Sequence, residues 1–448
     1  MTTTIARTLA SNGSRRKGTL SFWYKKCEVG TSRMVYSSYT SGGNNHNLLF
    51  NTDDTLRFTS QVSSSKKIDL VTNRVFRDTN AWYHIVIAFD TEQSTNTDRA
   101  KMYINGVQET AFTNASGGSP TYPSQDQDLQ VNISGEHIYF NKNGDGAGME
   151  ADCVYSHIHY IDGTMYDASA FGSFDSTTGE WKINTQPNLT YGTNGFFILK
   201  DGNSVTDQSG NSNNFTVEQG TLTKTEDNPS NIFNTINRLQ KTHGVGTFTN
   251  GNTTGQTNGS SYGYTHGTLG ASSGKYYFEV KPSAKEGGSD WFLIGISSTQ
   301  ATSNTIYLGQ NANDYAYYGV DGNKYNSGSN SSYGNAYGVN DIIGVAMDLD
   351  NNRLFFSKNG TWQNSGDPTS STGAITIADP STTPLGFYFP ALTFYSGTFN
   401  ATFQCNFGNG YFGTTAVSSA GTNASNNGIF EYDVPAGYTA LSTKGLNL

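Results

Sequence analysis

At 448 residues the chain is too long for one ordinary core, and its length fits two or three domains. Charged residues make up only 14 % of it and the net charge is −9, which leaves no basic footprint for nucleic acid. The 51 glycines and 13 % aromatics fit short strands joined by polar turns, and exclude both a helical bundle and a disordered chain.

In chain order, residues 1–14 read as a polar lead-in. Residues 18–26 form a strand with Leu20, Phe22 and Tyr24 on one face and Trp23 on the other. Short strands follow at 34–36, 48–50 and 55–58. A long apolar strand then covers 82–90, and its partner at 101–104 ends in Asn105-Gly106, a strong tight-turn signal. Residues 138–140 and 154–161 are further strands, and 188–199 closes this half. Residues 201–243 read as a connector, with Phe215, Val217, Ile232, Phe233 and Ile236 as packing points.

The second half repeats the pattern with strands at 275–280, 291–296 and 315–325. A long hairpin follows: Ile343, Val345, Met347 and Leu349 share a face, Asp350-Asn351-Asn352 turns the chain, and Leu354 and Phe356 resume the face before Asn359-Gly360. Both halves thus run apolar strand, Asp, turn or loop, aromatic strand, Asn-Gly. The expected fold is all-β, two tandem sandwiches spanning 15–200 and 244–448.

Two resemblances sharpen this. The pieces TLSFWYKK, NAWYHIVIAFD, KMYINGV and CVYSHIHYIDGTMYDASAFG resemble a laminin-G/concanavalin-like lectin domain, which implies a jelly roll of two antiparallel sheets with a glycan-facing surface. GKYYFEV, FLIGI, YGVDGNKY, DIIGVAMDLDNNRLFFSKNGTW, GFYFPAL, FQCNFG and PAGYTAL occur in the order of a SPRY domain, which implies a concanavalin-like sandwich binding protein or peptide partners through loops. The joint DQSGNSNNFTV, followed by TKTEDNPSNIFNTIN, resembles segments of virion structural proteins of marine tailed phages.

Signs of catalysis are weak. Glu150-Ala151-Asp152 carries two carboxylates of the spacing used by retaining glycan hydrolases of this fold but lacks the third, so no enzyme is expected. His157 and His159 are two apart and read as surface-facing, opposite buried Ile158 and Tyr160. Asp53, Asp54 and Asp145 lie in turns and are the calcium candidates; no other cofactor is expected. Cys27, Cys153 and Cys405 fit neither a metal spacing nor a disulfide framework and read as buried thiols. No run reaches membrane-spanning or signal-peptide length, so neither membrane insertion nor an ordinary cleaved signal is expected.

Binding is the remaining chemistry. Aromatic rings beside Asp/Asn turns suit sugars: Tyr318, Asp321, Tyr325, Tyr333 and Trp362 in the second domain, and Tyr39, Asn45, His46 and Asp162 in the first. The leading expectation is a phage virion structural protein, a capsid decoration or tail-fibre component. It would be assembled in the host cytoplasm, exposed on the particle and oligomeric, for instance trimeric. Its partners would be other virion proteins and host-surface polysaccharide. The alternatives are a polysaccharide-degrading enzyme of concanavalin-like fold and a SPRY protein-binding adaptor.

Overall fold

Alternating apolar and polar residues cut by Gly, Asn and Asp turns leave strand as the favoured local structure. In the computed structural model regular structure is strands plus three-residue 3-10 turns, with no α-helix among the described residues. Those residues are 2–146, 148–241, 245–257, 261–285, 291–300, 303, 305–396 and 401–447. The chain divides into two units, Met1–Lys224 and Thr225–Leu448, each with its own core. Cys27, Cys153 and Cys405 form no disulfide with one another; the first and last are buried and Cys153 is half-buried.

The first unit packs an eight-stranded sheet on a six-stranded one. At the middle of the smaller sheet Lys17–Lys26 pairs antiparallel with Trp82–Asp90, in a register that sets Leu20 opposite Ile87 and Phe22 opposite Ile85. These side chains meet Tyr36, Leu48, Phe58, Ile138 and Phe140 of the larger sheet. Full burial of each such side chain is worth roughly 1.5–3 kcal/mol. The smaller sheet's other face is covered too: Trp23, His84 and His159 are buried, Trp23 stacks on His84, and the two histidines are in ring contact with Phe171, Trp181 and Tyr191 of the returning segment.

The second unit also contains two large sheets, one seven-stranded and one nine-stranded. The hairpin of Ile343–Asp348 and Arg353–Lys358 pairs Val345 with Phe356 and Met347 with Leu354, and all four side chains are buried. Asn352 takes the left-handed conformation that Asn tolerates, with φ 55°.

Two stretches differ from expectation. Within the 1–14 lead-in, Thr4–Thr8 is a strand that pairs with both His137–Phe140 and Thr216–Gln219, because Ile5 supplies a core side chain. The 201–243 connector is divided between the units. Phe215 packs on Phe140 and Phe196 in the first, while Phe233 and Ile236 are buried in the second; Val217, expected to pack, is exposed on the edge strand Thr216–Gln219.

Candidate functional site

Outward alternation on the seven-stranded sheet produces an aromatic shelf in the second unit. On strand Ser261–Gly267 Tyr262 faces away from the main core, and it sits opposite Tyr395 of Phe389–Ser396. Leu293 of Phe292–Ser297 sits opposite Tyr318 of Asp314–Tyr318, and Ala316 opposite Tyr325 of Asn323–Asn326. Six rings then run in unbroken contact. Trp291 lies 4.8 Å from Tyr395, Tyr395 4.9 Å from Tyr262, and Tyr262 5.4 Å from Tyr307. Tyr307 lies 6.5 Å from Tyr325, and Tyr325 5.1 Å from Tyr318. These separations fall in the range of favourable edge and offset ring contacts.

All six rings are half-buried. Beneath them Tyr264, Leu293, Leu308, Ala316 and Ala391 form a small buried layer. Leu308 is held there by its N–H, which donates to Thr393 Oγ1 at 3.0 Å. Burial, then the neighbouring ring hydroxyls, push the phenols of Tyr262 and Tyr318 upward; Tyr325 rises through burial and the Asp321 charge. The hydroxyls therefore stay protonated donors at neutral pH.

Of the residues expected here, Tyr318 and Tyr325 lie on the shelf. Asp321 is exposed on the adjoining turn, where it accepts from the Asn323 N–H and side-chain amide, both at 2.9 Å. Tyr333 and Trp362 do not belong to it. Tyr333 is 5 % exposed, packs on Phe356 and Tyr317, and its hydroxyl accepts the Phe356 N–H at 3.1 Å. Trp362 is half-buried against Tyr277 and Phe355. Both sit next to turns, but their side chains point into apolar layers. Trp291, Tyr262, Tyr307 and Tyr395 were missed. Alternation puts Tyr262 and Tyr264 on one face of a strand, but it does not say which other strands lie beside them.

In the first unit Tyr39 and Asn45 lie on the outward face of the eight-stranded sheet, paired across strands Arg33–Ser41 and Asn44–Phe50. His46 points the opposite way. It is 3 % exposed among Tyr36, Phe58 and Phe89, and burial lowers its pKa to about 3. Asp162 is 7 % exposed and ties segments together, accepting from Ser14 N at 2.7 Å, Asn132 Nδ2 at 3.0 Å and Asn194 N at 3.0 Å. Neither is a surface contact residue, because strand parity and the closing loops turn both inward.

The calcium candidates are not assembled into a site. Asp54 is buried with Lys26 and Arg77 on its carboxylate and accepts the Gly30 N–H at 2.8 Å. Asp53 closes its own turn on Thr55, and Asp145 is exposed on a different loop. The described residues hold no cluster of three metal-ligating side chains. Glu150 accepts the N–H of Gly148 in its own loop, outside the strand Cys153–Asp162.

The histidine pair also departs from expectation. A bulge at residues 156–159, with His157 at φ 49°, breaks the alternation. His159 is buried, stacked 3.9 Å from Phe197, and its Nδ1 lies 2.9 Å from the Tyr191 hydroxyl. His157 also packs on Phe197, at 5.9 Å. Burial lowers both pKa values, to about 4 for His157.

Comparison with known proteins matches these two units. The model of the concanavalin A-like lectin/glucanases superfamily matches residues 3–139, and that of the SPRY domain matches residues 275–410. The chain thus carries a concanavalin-like domain followed by a SPRY domain. It is similar to Ran-binding protein 9 of Danio rerio, 38 % identical over 92 residues, covering 20 % of this chain and 15 % of that protein. It is also similar to the Ran-binding proteins 9/10 homolog of Drosophila melanogaster, 36 % identical over 91 residues, 20 % of this chain and 9 % of that one. The chain therefore spans only a small part of these relatives' length. The crystal structure of the SPRY domain of human HERC1 aligns over 38 % of this chain and 96 % of its own, at 15 % identity and TM-score 0.28.

Proposed function

We propose that this chain is a non-catalytic recognition protein whose SPRY domain holds a protein partner on the aromatic shelf. The observation that carries this is the unbroken run of six half-buried rings from Trp291 to Tyr318. Rigid amphipathic rings offer large contact area at low entropic cost, which is why Tyr and Trp dominate binding hot spots. Asp321 on the adjoining turn favours a partner segment that is apolar with a basic residue. The relatives matched over the second domain are by name Ran-binding proteins, which supports a binding role for this domain here as well.

The test is selection of a random peptide library on the full chain. One convergent peptide motif is expected. Its enrichment should vanish for a Tyr318→Ser/Tyr325→Ser variant that keeps the wild-type melting temperature. Absence of any convergent motif contradicts the reading.

A second reading places this work on the surface of a tailed-phage particle, as a capsid decoration or tail-fibre component. Its partners there are other virion proteins and host-surface glycan, the latter met by the first domain, and the chain is a homo-oligomer such as a trimer. What supports it is the resemblance of the DQSGNSNNFTV joint. In the structure this joint is a tight closure, with Asp207 accepting from the N–H groups of Phe197, Ser209 and Asn213 at 2.8, 2.9 and 2.8 Å. Quantitative mass spectrometry of purified particles tests it. A fixed copy number against the major capsid protein is expected, and absence from particles overturns it.

A further inference from the structure

Resting on the reading of the shelf as a protein-binding surface, we propose that the partner docks as an extended segment, adding a strand to the free edge of the seven-stranded sheet. That edge is Ser329–Ser332, the second strand of a hairpin with Asn323–Asn326. Ser327 and Gly328 join the two with φ 54° and 69°, a two-residue turn with both angles positive. Such a turn makes Asn326 and Ser329 a hydrogen-bonded pair, so by alternation Lys324 and Ser331 are the next one. The N–H and C=O groups of Asn330 and Ser332 therefore point away from the sheet, and all four residues of the strand are exposed.

The edge is held in place at both ends. The turn's N–H groups donate to a neighbouring loop, Ser327 to the Asn311 carbonyl at 3.2 Å and Gly328 to that of Gly309 at 3.0 Å. Asn326 Nδ2 donates to the carbonyls of Ala312 and Asp314 at 2.8 and 2.9 Å, and just past the strand Tyr333 is buried in the core. Exposed edges are ordinarily blunted by charge, proline or a bulge. Ser329-Asn330-Ser331-Ser332 has no charge and no proline, and its register is unbroken. The sheet's opposite edge, Ile236–Lys241, carries Arg238 and a shift in register.

What borders the edge selects the segment. Asn330 pairs with Tyr325, so this strand shares a face with the shelf, and the exposed Asp321 lies on the turn that leads into the hairpin. Lys324 pairs with the inward-facing Tyr317 and so lies on the opposite face, with no ion pair among the described residues. The added strand therefore alternates, with apolar or basic side chains toward Tyr325 and Asp321 and acidic or polar ones toward Lys324. Strands lie about 4.8 Å apart, so reaching Tyr325 across Asn330 takes a long side chain such as Arg, Tyr or Trp. Main-chain bonds to the edge supply affinity, and the alternate side chains supply specificity.

The probe is the library-selected peptide, titrated calorimetrically into the full chain with each of its backbone N–H groups methylated in turn. Methylation should weaken binding about tenfold at every second residue of one stretch and leave the residues between unchanged, because only alternate N–H groups meet the edge. Ser332→Pro removes an N–H that the hairpin does not use; it should weaken the unmodified peptide about tenfold with the melting temperature held. Ser331→Ala should change nothing. If Ser332→Pro fails to fold, the methylation pattern decides alone. A peptide whose binding falls with Tyr395→Ala but is indifferent to methylation and to Ser332→Pro overturns the added strand and leaves the shelf reading standing. Self-association of the chain that Ser332→Pro abolishes gives the edge to a second copy and overturns the proposal. Absence of any selected peptide overturns both readings.

Discussion

Asn359 closes the second domain's hairpin with the same pair of hydrogen bonds by which Asn105 closes the first domain's. The Asn105 N–H donates to the His84 carbonyl at 2.9 Å, and its Oδ1 accepts the His84 N–H at 2.7 Å. The Asn359 N–H donates to the Ile342 carbonyl and its Oδ1 accepts the Ile342 N–H, both at 2.8 Å. Backbone angles match as well: φ is 48° and 80° across Asn105-Gly106, and 49° and 79° across Asn359-Gly360. Two positive φ values in succession are the geometry of the tight turn that suits strand twist.

From this follows an ordering of variants. Asn→Ala at either position places a Cβ residue without a side-chain acceptor at positive φ. It should cost about 2–3 kcal/mol from strain and the lost bond. Asn→Gly keeps the backbone conformation and should cost about 1 kcal/mol. Urea unfolding of the four single variants checks the order; Ala at or above wild-type stability at either site contradicts it.

Acid should weaken the first domain through two neutral histidines. His84 Nδ1 accepts from Trp181 Nε1 at 3.0 Å, its Nε2 lies 2.9 Å from Ser21 Oγ, and burial lowers its pKa from 6.5 to about 3. His46 is lowered equally. A pKa lower in the folded than in the unfolded chain contributes stability that is complete above pH 6.5 and lost as pH falls toward 3. At about pH 4 the loss is about 3 kcal/mol per histidine. His46 Nδ1 has no partner among the described residues, so His46→Leu should raise stability at neutral pH by about 1–2 kcal/mol and flatten the acid dependence. Unfolding midpoints across pH, with and without the substitution, measure both effects.

Asp54 should behave as an ion-pair partner, not a calcium ligand. Removing its charge leaves Lys26, 2 % exposed, buried without its main counter-ion, and Asp54→Asn should cost about 3–5 kcal/mol. Calcium and chelator should leave the wild-type melting temperature unchanged. A melting temperature that rises with calcium and falls in Asp54→Asn to the chelator-treated value would reverse this assignment.

The sequence made the strands and turns readable because alternation and Asn-Gly signals are local. It predicted that Trp23 and Leu20 face opposite ways, and they do. It did not predict that the Trp23 face is roofed by Phe171 and Trp181, since a covered outer face and a wet one can carry the same alternation. That is why His159 proved buried, and the bulge at 156–159 hid the rest. The shelf was half legible. Tyr318 and Tyr325 are neighbours through one turn, whereas Trp291, Tyr262, Tyr307 and Tyr395 join them only through strand order. Tyr333 misled because a residue beside a turn can still aim its ring inward.

The shelf itself is tested most directly by calorimetric affinity of a library-selected peptide for the wild type, Tyr395→Ala and Tyr333→Phe. Truncating a central hot-spot ring typically costs 2 kcal/mol or more, so Tyr395→Ala should weaken binding by about thirtyfold. Tyr333→Phe, which removes the hydroxyl bonded to Phe356 in the core, should lower stability by about 1 kcal/mol and leave the affinity unchanged. Equal affinity for Tyr395→Ala and wild type would contradict the assignment of the partner to this face.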